Sequence, residues 1–253
     1  MIQRRKFCLA LGVTCLLPKR FVAMQAEVFS PKTYRNSRNE TLPYRLFTPR
    51  NYNKQRKYPL VLWLHGGAGR GNDNLKQIAG GNIIGSHVWT LPENQEKHPC
   101  FVVAPQCPEN EMWTTPDDKS SGEMRLVMEL LESLRPRFNL DAQRFYVTGQ
   151  SMGGFGTWCA ISDHPRMFAA AVPVCGGGNV SAARNLTKTP IWAFHGETDN
   201  AVSVERSRQM IAAIRQAGGT ARYTEYKGRG HVIWDEVFNE PELVPWVFAQ
   251  KLS

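Results

Sequence analysis

The 253-residue chain has no apolar run that approaches the roughly 20 residues a membrane-spanning helix needs; FCLALGVTCLL, Phe7 to Leu17, stops at 11. It has no CxxC pair and no His/Cys cluster, so no metal site is expected. Neither GxxxxGKS/T nor GxGxxG occurs, which leaves no phosphate-cradling loop and no cofactor to expect. Acid is scarce, with 22 Asp plus Glu against 31 Lys plus Arg. Five of those cations, Arg4, Arg5, Lys6, Lys19 and Arg20, lie in the acid-free first 26 residues, leaving a surplus of only +4 for the remainder. That is no nucleic-acid signature. With 42% hydrophobic and 21% charged side chains, the composition is that of a globular domain.

The first 26 residues read as an export signal. Arg4-Arg5-Lys6 precedes the apolar run, and small residues follow at Ala23 and Ala26, either of which suits cleavage. The RRKF string is similar to a twin-arginine signal. A bacterial protein exported to the periplasm or beyond, with no stable membrane insertion after the signal is removed, is the expectation. Four cysteines then remain: Cys100, Cys107, Cys159 and Cys175. An even count in an exported chain permits disulfides. An extended FVVAPQ between Cys100 and Cys107 would hold their Cα atoms beyond the roughly 7 Å limit, however, and favours free buried thiols.

From residue 27 onward, continuous apolar runs alternate with amphipathic segments, the pattern of an α/β fold with a mostly parallel sheet covered by helices. EVFSPKTY and LPYRLFTP suggest an entry hairpin. PLVLWLHG, CFVVAPQ, RFYVTGQS, AAAVPVCGG, PIWAFHG and RYTEYKG suggest strands. Helices are expected over residues 122–137, 203–217 and 242–251. No linker or repeat divides residues 27–253, so one catalytic domain is expected.

GQSMG, residues 149–153, sits between the strand RFYVT and a helix-like segment, the strand–turn–helix setting that makes GxSxG a nucleophile elbow around Ser151. A serine hydroxyl needs a base, and the base needs a carboxylate to fix its tautomer. Later loops offer Asp199 in HGETDNAVS and His231 in RGHVIWDEV. Asp163, on the segment carrying Ser151, and Asp235, four residues from His231, are the rival acids. His65 and His195 end strands in HG turns, where histidine supports a loop by hydrogen bonding. His65-Gly66-Gly67-Ala68-Gly69 after PLVLWL suits an oxyanion loop, with Gly67 or Ala68 and the backbone of Met152 as N–H donors.

Together these residues resemble the α/β-hydrolase superfamily, and within it secreted bacterial esterases related to feruloyl esterases, polyhydroxyalkanoate depolymerases and the prolyl-oligopeptidase-like catalytic domain. PYRLFTPRNY, KYPLVLWLHGGAGRGND, APQCPENEMW, GQSMGGFGTW, AAAVPVCGGG, IWAFHGETDNAV and GRGHVIWDE carry the likeness over residues 42–240. It implies a cofactor-free serine carboxylesterase with Ser151 as nucleophile, Asp199 as acid and His231 as base. A peptidase of the same fold and a non-catalytic carbohydrate-binding module are the alternatives. The short connection over residues 178–188 leaves no room for a cap, so an open cleft is expected, taking a small-molecule or polysaccharide-linked ester. Trp113 and Trp89 have two readings, an aromatic wall for substrate or packing of their loops against the domain, with packing preferred for Trp89; residues 80–98 have the length for a partial lid hinged at GGNIIG.

Overall fold

A strand apolar on both faces has to be covered on both faces. In the computed structural model, which describes residues 28–252, β3 (Tyr58–Leu64), β4 (Phe101–Pro105), β6 (Ala170–Val174) and β7 (Trp192–Gly196) are buried at every position. β5 (Leu140–Gln150) is buried over its last six residues, and β8 (Arg222–Tyr226) is partly exposed. The expected export segment lies outside the described residues. β1 (Ser30–Arg35) and β2 (Thr41–Phe47) form the entry hairpin and attach to β4 antiparallel. The remaining pairings are parallel, and the eight strands run in the order β1-β2-β4-β3-β5-β6-β7-β8.

Alternation along β3 divides the core. Leu60, Leu62 and Leu64 face one apolar layer with the helices Gly122–Leu134, Met152–Asp163 and Glu205–Gln216. Val61 and Trp63 face the other, with the segment around Trp89 and the helices Trp234–Phe238 and Leu243–Ala249. At roughly 25 cal/mol per Å² of apolar surface removed from water, these two layers are the main driving force for the fold. Ser121 starts the helix Gly122–Leu134 by accepting the Met124 N–H on its side-chain oxygen. Among the described residues, no helix is long and apolar enough to cross a membrane.

One expectation is corrected here. Residues 80–98 do not form a lid: Gly85 lies so close to Trp63 that a Cβ would fall 2.2 Å from its ring, and Val88 and Trp89 are buried. Trp89 therefore packs the core, with its Nε1–H donated to the Gly85 carbonyl. The four cysteines are free and buried. Burial pushes the thiols of Cys100 and Cys159 up to about 12, and those of Cys107 and Cys175 further in the same direction.

Candidate active site

β3, β5 and β7 run parallel and deliver their carboxyl ends to one edge of the sheet. Ser151 follows β5 directly and precedes the helix Met152–Asp163. The turn is sharp: Ser151 has φ 55° and ψ −118°, and its N–H is donated to the Val174 carbonyl at 2.8 Å. Such a turn brings helix and strand into backbone contact. A Cβ on Gly153 would sit 1.8 Å from the Leu64 carbonyl oxygen, and one on Gly149 would sit 2.4 Å from that of Gly153. These two glycines are required by contact rather than by torsion.

The turn aims Ser151 Oγ at His231, whose Nε2 lies 2.8 Å away, while His231 Nδ1 lies 2.7 Å from Asp199 Oδ2. A carboxylate accepts only, so Nδ1 carries the proton donated to Asp199 and Nε2 is left to accept from the serine. Asp199 is held from every side. Its Oδ1 accepts the N–H groups of Ala201 at 2.9 Å and Val202 at 2.8 Å, and His195 Nε2 lies 3.2 Å from Oδ2. Burial would raise its pKa, but the donors from His231, Val202 and Ala201 outweigh burial and leave it below the ordinary aspartate value. The Trp234 ring stands edge-on to His231 at 5.3 Å and fixes its plane. Of the rival acids, Asp163 accepts from Ser120 Oγ at 2.6 Å, and Asp235 opens the helix Trp234–Phe238; neither hydrogen-bonds to His231.

The glycine loop after β3 is fixed from beneath. His65 Nε2 accepts the Cys107 N–H at 3.0 Å, so its Nδ1 carries the proton that goes to the Gly66 carbonyl at 2.7 Å. That neutral tautomer agrees with burial, which pushes the His65 pKa down to about 4. His195 supports its own loop in the same way, with Nε2 3.0 Å from the Val202 carbonyl and Nδ1 2.7 Å from Ser207 Oγ. Gly66 donates its N–H to Asn82 Oδ1 at 3.0 Å, which removes that amide from any role toward substrate. Gly67 and Ala68 open a short 3-10 turn and Met152 opens its helix, so none of their amides has an acceptor within its own element.

Trp113 is a correction. It is fully buried and donates its Nε1–H to the His65 carbonyl at 3.1 Å, so it braces the glycine loop and reaches no substrate. Sequence reasoning also passed over Asn82 and Gln106. Buried Asn82 ties the glycine loop to the elbow, because Gln150 Nε2 lies 3.3 Å from the same Oδ1. Gln106 donates to the Gly69 carbonyl at 3.1 Å and to Asp73 at 2.8 Å. The only signal for Asn82 was its place in GGNIIG.

Ligand atoms of Cys175, His195 and Asp199 come within 4.8 Å of one another. They do not suit a metal. The Cys175 thiol donates to the His231 carbonyl at 3.4 Å and is held protonated by burial, and both Asp199 oxygens already accept.

The Esterase family model matches residues 36–252. The crystal structure of a thermostable esterase is 39% identical with TM-score 0.86, over 90% of this chain and 64% of that one. A ferulic acid esterase structure shares the fold at TM-score 0.69 and 20% identity, over 87% of this chain and 98% of its own. A bifunctional acetylxylan esterase/xylanase of Neocallimastix patriciarum is 30% identical over 158 residues, 62% of this chain and 22% of that protein. The chain thus spans about a fifth of that curated relative's length.

Proposed function

The chain belongs to the Esterase family, and from that premise we propose that it hydrolyses carboxylic esters through a covalent acyl-serine intermediate on Ser151. The observation that carries the reading is the continuous relay Asp199–His231–Ser151, at 2.7 and 2.8 Å. Ser151 Oγ attacks the ester carbonyl as its proton passes to His231 Nε2. The carbonyl oxygen becomes an oxyanion facing the amides of Gly67 and Met152, and each donor of this kind is worth roughly 3–4 kcal/mol of barrier. Asp199 holds the imidazole and stabilises the imidazolium. His231 then gives its proton to the departing alcohol oxygen, and water, deprotonated by His231, releases the acid and restores the serine.

The substrate is a short acyl or aryl ester carried by a bulky alcohol such as a plant polysaccharide. Support comes from the site's openness. Only the short 3-10 segment Val180–Leu186 lies where a cap would be inserted, and Val232, next to the base, is 68% exposed. The relatives named as acetylxylan esterase and ferulic acid esterase make the same suggestion. Residues 1–26 then serve as an export signal that delivers the enzyme to extracellular polymers.

The experiment is a panel of p-nitrophenyl acetate, feruloylated and acetylated xylan fragments, p-nitrophenyl palmitate and a proline amide, with and without a serine-directed phosphonate. Turnover of the short and aryl esters, abolished by the phosphonate, is expected. Turnover that survives the phosphonate refutes the covalent serine route, and a preference for palmitate or the amide refutes the substrate class.

A further inference from the structure

β3 enters the sheet at Tyr58 and leaves it beside the site at Leu64, so its two ends are about 20 Å apart. At the Tyr58 end lies a groove made of two adjoining cavities of about 370 and 180 Å³, which share Arg56, Tyr58 and Pro99. Arg50, Arg56, Lys57 and Lys97 line it, all exposed, and none pairs with a carboxylate among the described residues. Arg56 instead sits over the Tyr58 ring at 5.7 Å. Arg144, at the margin, is held by Asp141 at 2.7 Å. Glu96 is the one carboxylate on the lining. Residues 27–253 carry a surplus of only +4, so this groove accounts for most of it. Arg38 and Arg125, by contrast, pair with Glu40 and Glu129. Like charges gathered without counter-charges repel one another and raise the local anion concentration.

The lining decides which anion fits. A single-stranded nucleic acid needs exposed rings for its bases to stack on, but the Tyr58 ring is buried and Phe248 lies under the His98 ring at 4.7 Å. A membrane surface needs apolar side chains that protrude, and none of the exposed large apolar residues lies in this groove. A concave trough with spaced guanidinium and ammonium groups suits carboxylates set at intervals along a stiff sugar chain, each matched by the fork of an arginine.

We propose that the groove binds a run of acidic polysaccharide through its uronate carboxylates, holding the enzyme on the polymer while the opposite pole hydrolyses esters. The proposal rests on the polysaccharide reading above for its purpose, but its test does not. Affinity electrophoresis in gels containing polygalacturonate, neutral arabinoxylan or single-stranded DNA measures the binding. Retardation by polygalacturonate alone is expected, and added salt should reduce it. The variant Arg50→Gln/Arg56→Gln/Lys57→Gln should bind at least tenfold more weakly. Lys32→Gln/Arg35→Gln/Lys227→Gln, which removes the same charge elsewhere, should bind as the parent does. Equal retardation of the two triple variants, or equal retardation by DNA, overturns the proposal. Hydrolysis of p-nitrophenyl acetate, read on the same samples, should be unchanged in both variants. A failure of the ester panel leaves the retardation result standing, so the two readings fail separately.

Discussion

Replacing Ser151 by glycine should remove catalysis and at the same time make the fold more stable than the alanine variant. The φ of 55° and ψ of −118° lie in a region that glycine enters freely and that any residue with a Cβ enters under strain. Strain of this kind is about 1–3 kcal/mol. Ser151→Ala keeps the Cβ, hence the strain, and loses the 2.8 Å hydrogen bond to His231, which is worth about 0.5–1.5 kcal/mol. Ser151→Gly loses the same bond and releases the strain, against an unfolded-chain entropy penalty of about 0.5–1 kcal/mol. The glycine variant should therefore be the more stable of the two by about 1 kcal/mol, or about 2–4 °C in Tm for a domain of this size. Both should lose roughly five to six orders of magnitude in kcat, because the triad acts as a unit. Paired calorimetric melts with burst-corrected turnover make the test. A glycine variant that melts with or below the alanine variant would refute the claim that the elbow stores strain.

Two further outcomes follow from the groups behind the site. Asn82→Ala strips the acceptor from the Gly66 N–H and from one contact of Gln150, and a buried unpaired donor costs about 1–3 kcal/mol; kcat should fall by about 10- to 100-fold with KM little changed, and an unchanged kcat would show that the glycine loop holds its direction without Asn82. His65 has a folded pKa of about 4 against about 6.5 when unfolded, so between those values the unfolded chain binds the extra proton and stability falls as pH is lowered. Urea melts from pH 7 to pH 5, where unfolded carboxylates are still ionised, should lose about 2 kcal/mol from His65. His195, also lowered by burial, adds in the same direction. His65→Asn should be less stable overall but show the shallower slope, and equal slopes would remove His65 as the cause.

Much of the relay was legible because each member sits just past a strand, and strands buried on both faces announce themselves as unbroken apolar runs. GQSMG and HGETDN each follow such a run, RGHV follows the more polar RYTEY, and Asp163 is set apart from Asp199 because it lies on the helix that carries Ser151. Helix limits were legible to a few residues: the spacing predicts a helix over 122–137, and it ends at Leu134, where the last residues turn tighter. What periodicity does not encode is the direction a loop takes after leaving the sheet. Trp113 lies in such a loop, which folds back beneath β3 and puts its indole into the core. Residues 80–98 had the length and glycine of a hinge, yet Gly85 is small because Trp63 presses on it. Asn82 belongs to the same class: its partners, Gly66 and Gln150, are 16 and 68 residues away, and nothing local marks the pairing.

The strand order has a kinetic consequence. β3 lies between β4 and β5, so the centre of the sheet is completed only when residues 58–64 meet residues 140–150. Loop closure over such separations precedes any reward from contact, which places this topology among the slow folders. Ser151 and His231 are 80 positions apart, and three strand pairings, β5 with β6, β6 with β7 and β7 with β8, separate the strands that carry them. On the proposed mechanism, ester hydrolysis becomes possible only when β6 and β7 have docked between them. In a refolding chain, recovered turnover reports closure of the whole parallel half of the sheet, whereas tryptophan burial around Trp63 and Trp113 reports the β3 region alone.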